Sequence, residues 1–332
     1  MLLKSLASKR SNLMKKLLSF VIPCYRSENT IEKVIQEIRE TVARRQETYD
    51  YEVICVNDSS PDNVLSVLKK LAEKDTRVKV VDFSKNRGKH AAVLAGMSFA
   101  KGDYIVNLDD DCQCPVYELW RLLEPLEKDE CDFSTANYKQ KKQSLWKNFG
   151  SNVNRFMSCI LLNKPKGLRL ENFSAMKRFV MEEMIRYNKP YPYLEGLILR
   201  VTNRISVVMM EERDRGDDNT TGFTLKKSLS LWLNGFTAFS VKPLRISTVL
   251  GLCFAVIGFI AGIVIVIKKL VDPDVMLGWT SIMALTLFTN GVIMVILGLI
   301  GEYVGRIYIC LNNTPQYVIR DTINIDKKEE MK

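Results

Sequence analysis

The fold of this chain is decided by one stretch, residues 102–115, which reads GDYIVNLDDDCQCP. Its apolar residues 104–108 predict a buried strand, and three consecutive aspartates follow that strand directly. The proline that ends the stretch suits the first position of a helix. Because open α/β sheets bind ligands at the carboxyl ends of their strands, we expect the aspartates to lie in a binding site. Asp109 and Asp111 point to the same side of an extended chain, so their hard oxygens can hold one Mg²⁺ or Mn²⁺ ion on a diphosphate.

Apolar runs alternate with amphipathic helical patterns on both sides of this stretch. Further strands are predicted at 17–22, 51–56, 78–83, 131–135 and 204–210, and helices at 30–45, 64–73, 91–100, 116–126 and 176–186. This alternation predicts an α/β fold with a mainly parallel sheet and helices on both of its faces. An Asp-x-Asp motif taken alone would favour a solvated acidic turn. Here the strand before the aspartates, the proline after them and the surrounding sheet pattern favour a binding site.

Two apolar runs near the C-terminus, 246–267 and 279–300, have 22 residues each and no charged residue. A helix of that length rises about 33 Å, enough to cross a hydrocarbon core of about 30 Å. Buried core helices are the alternative, but two such runs favour a transmembrane hairpin. Lysines and arginines flank the hairpin on its two outer sides, so the positive-inside bias predicts that both long flanks are cytoplasmic.

The charge and the cysteines limit the function classes further. The formal net charge is +10, and residues 133–170 hold eight lysines or arginines and no acid. Such a stretch can contact nucleic acid, an anionic membrane or a phosphate ligand, and the apolar tail favours membrane lipids over nucleic acid. The eight cysteines form no Cys-x-x-Cys pair and the chain has one histidine, which argues against a disulfide framework and a zinc site.

Five motifs follow one another along the chain: SFVIPCY at 19–25, VNDSSPD at 56–62, NRG at 86–88, DDDCQCP at 109–115 and GEYVGRIY at 301–308. Together they resemble a family 2 glycosyltransferase of the GT-A fold. More closely, the chain resembles the membrane-anchored polyprenyl-phosphate glycosyltransferases, which are similar to dolichol-phosphate mannose synthase and include the bacterial undecaprenyl-phosphate sugar transferases. The resemblance implies an inverting enzyme that moves a sugar from a nucleotide sugar, with a UDP-sugar favoured, to undecaprenyl phosphate.

The resemblance also implies a domain organisation and a location. We expect a basic N-terminal extension at 1–16, a GT-A glycosyltransferase domain at 17–222 and a juxtamembrane amphipathic helix at 223–245. A transmembrane hairpin at 246–300 and a cytoplasmic tail at 301–332 would follow. The expected location is the inner membrane of the cell, as a multi-pass protein with its catalytic domain in the cytoplasm. A homo-oligomer is left open.

The nucleotide-binding positions implied by the resemblance are Pro23, Tyr25, Glu28, Asp58 and Asp110. Tyr25 can lie against a base, and Asp58 can accept hydrogen bonds from uracil or ribose. The alternatives are an aromatic side chain at the edge of the core for Tyr25 and a helix N-cap for Asp58.

The resemblance assigns catalysis to Asp109 and Asp111, which with Gln113 would hold Mg²⁺ or Mn²⁺ and the donor diphosphate. The cation would neutralise the charge that develops on the departing nucleotide diphosphate. The pattern around Asn172 differs from the one expected of relatives, so no catalytic residue is predicted there.

The acceptor end of the site must supply positive charge, because a lipid phosphate is already ionised at neutral pH and needs no general base. The candidates are Lys139, Lys147, Ser151 and Arg213. Lys147 and Ser151 have the i, i+4 spacing of one helical face. Two rival functions are a transferase acting on a glycolipid or polysaccharide and a non-catalytic nucleotide-binding membrane scaffold. The chain lacks the Gln-x-x-Arg-Trp motif of processive synthases, which argues against the polysaccharide acceptor. The acidic metal ligands argue against a scaffold without catalysis.

Overall fold

The structure is a computed structural model, and it describes residues 15–138, 168–211, 213, 278–312 and 314–325, together with residues 247, 249, 251–254, 256–257, 259–260, 263–264, 267 and 271. The chain divides into two compact units. The first unit contains the described residues up to 213 and those from 315 onward, and the second contains the described residues between 247 and 314.

The first unit is built on one sheet, whose described strands lie in the order β7-β5-β6-β4-β1-β2-β3-β8. Four neighbouring pairs are parallel and three are antiparallel, which confirms the predicted α/β fold with a mostly parallel sheet. The strands are β1 (Lys16–Cys24), β2 (Tyr49–Asn57), β3 (Val78–Phe83), β4 (Tyr104–Asn107), β5 (Phe133–Tyr138), β6 (Ser174–Lys177), β7 (Ile205–Met210) and β8 (Ile319–Ile323).

The helices of this unit pack an apolar stripe against the sheet. They are α1 (Ile31–Ala43), α2 (Val64–Lys74), α3 (Lys89–Ser98), α4 (Leu119–Glu127), α5 (Arg178–Ile185) and α6 (Leu194–Val201). In α1 the buried residues include Ile31, Val34, Ile35 and Ile38, at the spacing of one helical face. Burial of each such side chain contributes about 1.5–3 kcal/mol, so this face holds α1 on the sheet.

Helix α3 comes close to strands β1 and β2 at Gly96, which has no side chain to keep them apart. A Cβ atom added at Gly96 would lie 2.5 Å from Val21 Cγ1 and 3.0 Å from Val56 Cγ2. The helix begins after Gly88, whose φ of 85° favours glycine. The close approach at Gly96 fixes the position of α3, whose first residue is Lys89.

Several predicted boundaries need correction. Residues 174–177 form strand β6, antiparallel to β4, so the helix predicted at 176–186 begins only at Arg178. Helix α6 and strand β8 were not predicted. Strand β8 pairs antiparallel with β3, so the last part of the predicted tail at 301–332 belongs to the sheet of the first unit.

The second unit contains helix α7 (Trp279–Leu311), which covers the second predicted membrane run and continues past residue 300. Within the part of the chain that the structure describes, one helix, Phe288–Leu311, is long and apolar enough to cross a membrane. Phe254, from the first predicted run, contacts Phe288 edge to face with ring centroids 5.5 Å apart. The helix predicted at 223–245 lies outside the described residues.

Candidate active site

Four turns meet at the carboxyl edge of the sheet, because β1, β2, β3 and β4 are parallel neighbours and end on the same side. The first turn is 25–30, the second 58–63, the third 84–88 and the fourth 108–115. Between them they carry most of the predicted nucleotide-binding and metal-binding residues. The structure thus brings together motifs that are widely separated in the sequence.

The first and fourth turns are joined through Asp110. The backbone N–H of Tyr25 donates to Asp110 Oδ2 at 3.0 Å. Burial raises the pKa of Asp110 to about 6. Tyr25 is 45% exposed, and the Arg26 guanidinium lies over its ring at 5.6 Å from the centroid. The predicted nucleotide contact Pro23 is buried within β1.

The first and second turns are joined through Glu28 and Asp62. The backbone N–H of Asn63 donates to Glu28 Oε2, and the backbone N–H of Glu28 donates to Asp62 Oδ2, both at 3.0 Å. Ser60 Oγ donates to Asp62 Oδ1 at 2.5 Å. One oxygen of Glu28, which was predicted to contact the nucleotide, therefore serves the link between the turns.

The second and third turns are joined through Asp58, which is only 3% exposed. Its carboxylate accepts the backbone N–H groups of Arg87 and Gly88 at 2.6 and 2.8 Å. Burial raises the pKa of Asp58, and these two hydrogen bonds oppose that rise. The alternative role of Asp58 as a helix N-cap is wrong, because residue 63 precedes α2 and the carboxylate braces the third turn.

The third and fourth turns are joined through Asp109. Lys89 Nζ, at the start of α3, forms an ion pair with Asp109 Oδ1. On the other side Asn172 Nδ2 donates to Asp109 Oδ2 at 2.8 Å. Asn107 Nδ2 holds this loop by donating to the Asn172 carbonyl at 3.0 Å. The four turns are therefore linked in a closed ring of contacts, which we call the rim.

Neither Lys89 nor Asn172 was predicted as a site residue. Asn172 lies just before β6, and only the antiparallel pairing of β6 with β4 brings it to the aspartates. A sequence signal existed for Lys89, since it directly follows the NRG motif at 86–88. In the structure this lysine pairs with Asp109 and so connects the third turn to the fourth.

The other predicted metal-binding residues of the fourth turn are Asp111 and Gln113. Asp111 Oδ1 accepts the backbone N–H of Gln113 at 3.1 Å, and Cys112 turns the chain with a φ of 61°. The Lys89 ammonium on Asp109 shows that this carboxylate already holds a cation. Among the described residues no three acidic, thiol or imidazole groups converge on one metal position, so an ion on Asp109 and Asp111 must take further ligands from water or substrate.

The side chain of Arg213 packs against helix α1, away from the rim contacts described above. Its guanidinium donates to Glu37 Oε2 and Oε1 at 2.7 and 2.8 Å and lies 4.8 Å from the centroid of the Tyr117 ring. These groups line a groove of about 950 Å³ along α1, which also reaches Glu28 of the first turn. The other predicted acceptor residues, Lys139, Lys147 and Ser151, lie outside the described residues.

Comparison with known proteins identifies the two regions of the chain. Residues 19–185, which contain the rim, match the glycosyl transferase family 2 model, and residues 242–307 match the GtrB C-terminal hairpin model. The crystal structure of glucosyl-3-phosphoglycerate synthase from Mycobacterium tuberculosis with Mn²⁺, UDP-glucose and phosphoglyceric acid has the same fold in its aligned part. Its TM-score is 0.50 at 18% identity, with 67% of this chain and 78% of that chain covered.

Two curated relatives match the chain over almost its whole length. The SfII prophage-derived bactoprenol glucosyl transferase of Shigella flexneri is 30% identical, with 91% of this chain and 97% of the relative covered. The undecaprenyl-phosphate 4-deoxy-4-formamido-L-arabinose transferase of Proteus mirabilis is 28% identical, with 93% of this chain and 94% of the relative covered. The chain therefore belongs to glycosyl transferase family 2 and is a glycosyltransferase.

Proposed function

We propose that this glycosyltransferase moves a sugar from a UDP-sugar to undecaprenyl phosphate, with inversion. The observation that carries the proposal is the match of nearly the entire chain, from the rim to the C-terminal hairpin, to two transferases with this kind of acceptor in their names. Those names differ in the sugar and agree on the lipid. The proposal therefore defines the acceptor class rather than the sugar.

In this proposal the rim binds the donor. The exposed Tyr25 ring covers the base, while the turn that Asp58 braces lies beside the ribose. Asp109 and Asp111, with Gln113, hold Mg²⁺ or Mn²⁺ against the diphosphate. The ion supplies Lewis-acid stabilisation of the departing nucleotide diphosphate. The glucosyl-3-phosphoglycerate synthase structure contains Mn²⁺ together with UDP-glucose, which supports a cation of this type.

The acceptor needs positioning rather than deprotonation, because its phosphate oxygen is already anionic. Lys139, Lys147, Ser151 and Arg213 are the proposed phosphate-binding residues. Bringing an anionic acceptor to an anionic donor in line requires fixed positive charge, which lowers the barrier through orientation and electrostatics. Of these four, Arg213 is described by the structure, and its pairing with Glu37 means that it must exchange partners to bind the phosphate.

We further propose that the hairpin anchors the enzyme in the inner membrane, with spans at 246–267 and 279–300 and the catalytic unit in the cytoplasm. Lysines and arginines on the two outer sides of the hairpin support this orientation. A cysteine placed at position 272, between the spans, should react with an impermeant thiol reagent added to intact cells. A cysteine placed at position 328 should react only after the membrane is opened, and the reverse pattern would contradict the orientation.

The direct test is transfer by the purified full-length protein. It should glycosylate undecaprenyl phosphate from one member of a panel of UDP-sugars in the presence of Mg²⁺ or Mn²⁺. Asp111→Asn is the matched control, because it keeps the size of the side chain and removes a charge from the metal site. Transfer to a glycolipid in place of the lipid phosphate, or full activity of folded Asp111→Asn, would overturn the proposal.

A further inference from the structure

Strand β8 and the residues just before it contact the third turn of the rim. The strand runs antiparallel to β3, and several of its contacts lie at the carboxyl end of β3, where the third turn begins. Tyr317 stacks on Phe83 with ring centroids 5.2 Å apart and an interplanar angle of 6°. The Val318 carbonyl accepts the backbone N–H of Ser84 at 2.9 Å.

Arg320 makes the contacts that reach the rim. Its Nη2 donates to the Ser84 carbonyl at 3.1 Å, and its Nη1 lies 3.6 Å from Asp82 Oδ2. Ser84 is thus held on its N–H by Val318, just before β8, and on its carbonyl by Arg320 of β8. The first residue of the third turn is fixed by a strand that follows it by more than 200 positions in the sequence.

The contact continues from Asp82 into the second turn. Asp82 is 4% exposed, and Asn57 Nδ2 donates to its Oδ1 at 2.7 Å. Asn57 Oδ1 in turn accepts the backbone N–H of Ser60 at 3.2 Å. The Asp82 carboxylate therefore lies between the exposed Arg320 guanidinium and the Asn57 side chain, and it connects β8 with the second turn.

We propose that Arg320 is a positioning residue for the nucleotide donor, acting through Asp82 and Ser84 on the second and third turns. The second turn carries Asp58, whose carboxylate accepts hydrogen bonds from the third turn. The third turn leads into Lys89, which pairs with Asp109. The C-terminal segment that follows the hairpin therefore completes the donor site of the catalytic unit. This inference rests on the proposed function for its ligand, a uridine diphosphate.

The same strand offers a control at its other end. Asn324 Nδ2 donates to the carbonyls of Ala72 and Val78, both at 2.8 Å. Val78 is the first residue of β3, at the end of the sheet opposite to the rim. Loss of the Asn324 side chain removes contacts of β8 but leaves Asp82 and Ser84 unchanged. Asn324→Ala therefore distinguishes an effect on donor positioning from a general loosening of the strand.

The first measurement is UDP binding by calorimetry with Mn²⁺ in the full-length protein. Arg320→Ala should bind UDP about twofold to fivefold more weakly than wild type, and Arg320→Lys should recover part of the loss. Asn324→Ala should bind UDP as wild type does. Under turnover, the KM for the donor should rise in Arg320→Ala while the KM for the acceptor stays constant. Equal UDP affinity of wild type and Arg320→Ala would overturn the inference.

The second measurement needs no nucleotide. Amide hydrogen exchange of residues 85–89 should be faster in Arg320→Ala than in wild type, and unchanged in Asn324→Ala. Unchanged exchange in Arg320→Ala would overturn the inference whatever the donor is. Faster exchange in a protein whose wild type binds no UDP would support the positioning by Arg320 and overturn the proposed donor instead.

Discussion

Lys89 is paired with Asp109, so the first aspartate after β4 holds a protein cation at the place where we propose that a divalent ion binds. Both side chains are partly exposed, which leaves the ammonium free to move to a neighbouring anion. The nearest anion in a donor complex would be the diphosphate. Lys89 would then compete with the metal ion before the donor binds and support the diphosphate afterwards.

Lys89→Met should therefore change two affinities in opposite directions. Mn²⁺ binding without nucleotide, followed by electron paramagnetic resonance, should become several-fold tighter, because Asp109 Oδ1 loses its competitor. UDP binding at saturating Mn²⁺ should weaken about tenfold or more, since one charge-assisted hydrogen bond contributes about 1.5–3 kcal/mol. Lys85→Met removes the same charge from an exposed position in the turn that precedes Lys89 and should change neither affinity. Weaker Mn²⁺ binding in Lys89→Met without nucleotide would refute the competition.

Gly96→Ala should destabilise the catalytic unit, although the same change stabilises most helices by about 1 kcal/mol. The added methyl group would lie 2.5 Å from Val21 Cγ1, and overpacking of this kind costs about 1–3 kcal/mol. Urea unfolding should show the loss. Val21→Ala in the Gly96→Ala background should recover part of it, because it removes the atom in contact. Additive effects of the two substitutions would show that the contact is not the cause.

His90 should make the stability of the catalytic unit depend on pH. Burial and the neighbouring Lys89 lower its pKa to about 4, and its neutral Nδ1 accepts the backbone N–H of Leu194 at 3.4 Å. Between pH 6.5 and 4 the unfolded chain therefore binds more protons than the folded one, so stability falls as the pH is lowered through this range. The fall should be about 1–2 kcal/mol at pH 5.

His90→Asn tests this dependence, since Asn Oδ1 can replace Nδ1 as the acceptor and does not titrate. The difference in unfolding free energy between pH 7 and pH 5 should be smaller in the variant than in wild type. An identical pH dependence in the two proteins would assign it to other groups.

The local part of the fold could be predicted from the sequence, and the long-range part could not. Strand β4 and the aspartates after it were predicted because a buried strand and its turn are encoded within about a dozen neighbouring residues. The apolar face of α1 was predicted for the same reason. The second half of strand β6, residues 176–177, was assigned to a helix, because the four residues SAMK carry too little periodicity to distinguish strand from helix.

The contacts that complete the site depend on pairing between distant segments. Strand β8 joins β3 from the far end of the chain, and Asn172 reaches Asp109 only because β6 lies antiparallel beside β4. Asp58 illustrates the same limit. It was predicted to contact the nucleotide, with a local helix cap as the alternative, whereas in the structure its carboxylate accepts two backbone N–H groups of residues 87 and 88. A single sequence contains no signal for these pairings.

Arg213 and Glu37 provide the last prediction, which concerns the acceptor phosphate. The guanidinium makes two hydrogen bonds to the Glu37 carboxylate, at 2.7 and 2.8 Å, in the groove along α1. A lipid phosphate that binds Arg213 must displace this carboxylate, so the two anions compete for one cation. Arg213→Ala should raise the KM for undecaprenyl phosphate, and Glu37→Gln should lower it by several-fold, while the KM for the nucleotide sugar stays constant in both.

Glu40→Gln is the matched control, because Glu40 lines the same groove one helical turn further along α1 and pairs with Gln36 rather than with Arg213. It removes the same charge and should leave the KM for undecaprenyl phosphate close to that of wild type. The opposite signs of Arg213→Ala and Glu37→Gln distinguish phosphate binding from a structural tether. If the pair only fastened residue 213 to α1, both substitutions would lower thermal stability and neither would change the response to the acceptor. Arg213 would then be removed from the acceptor site.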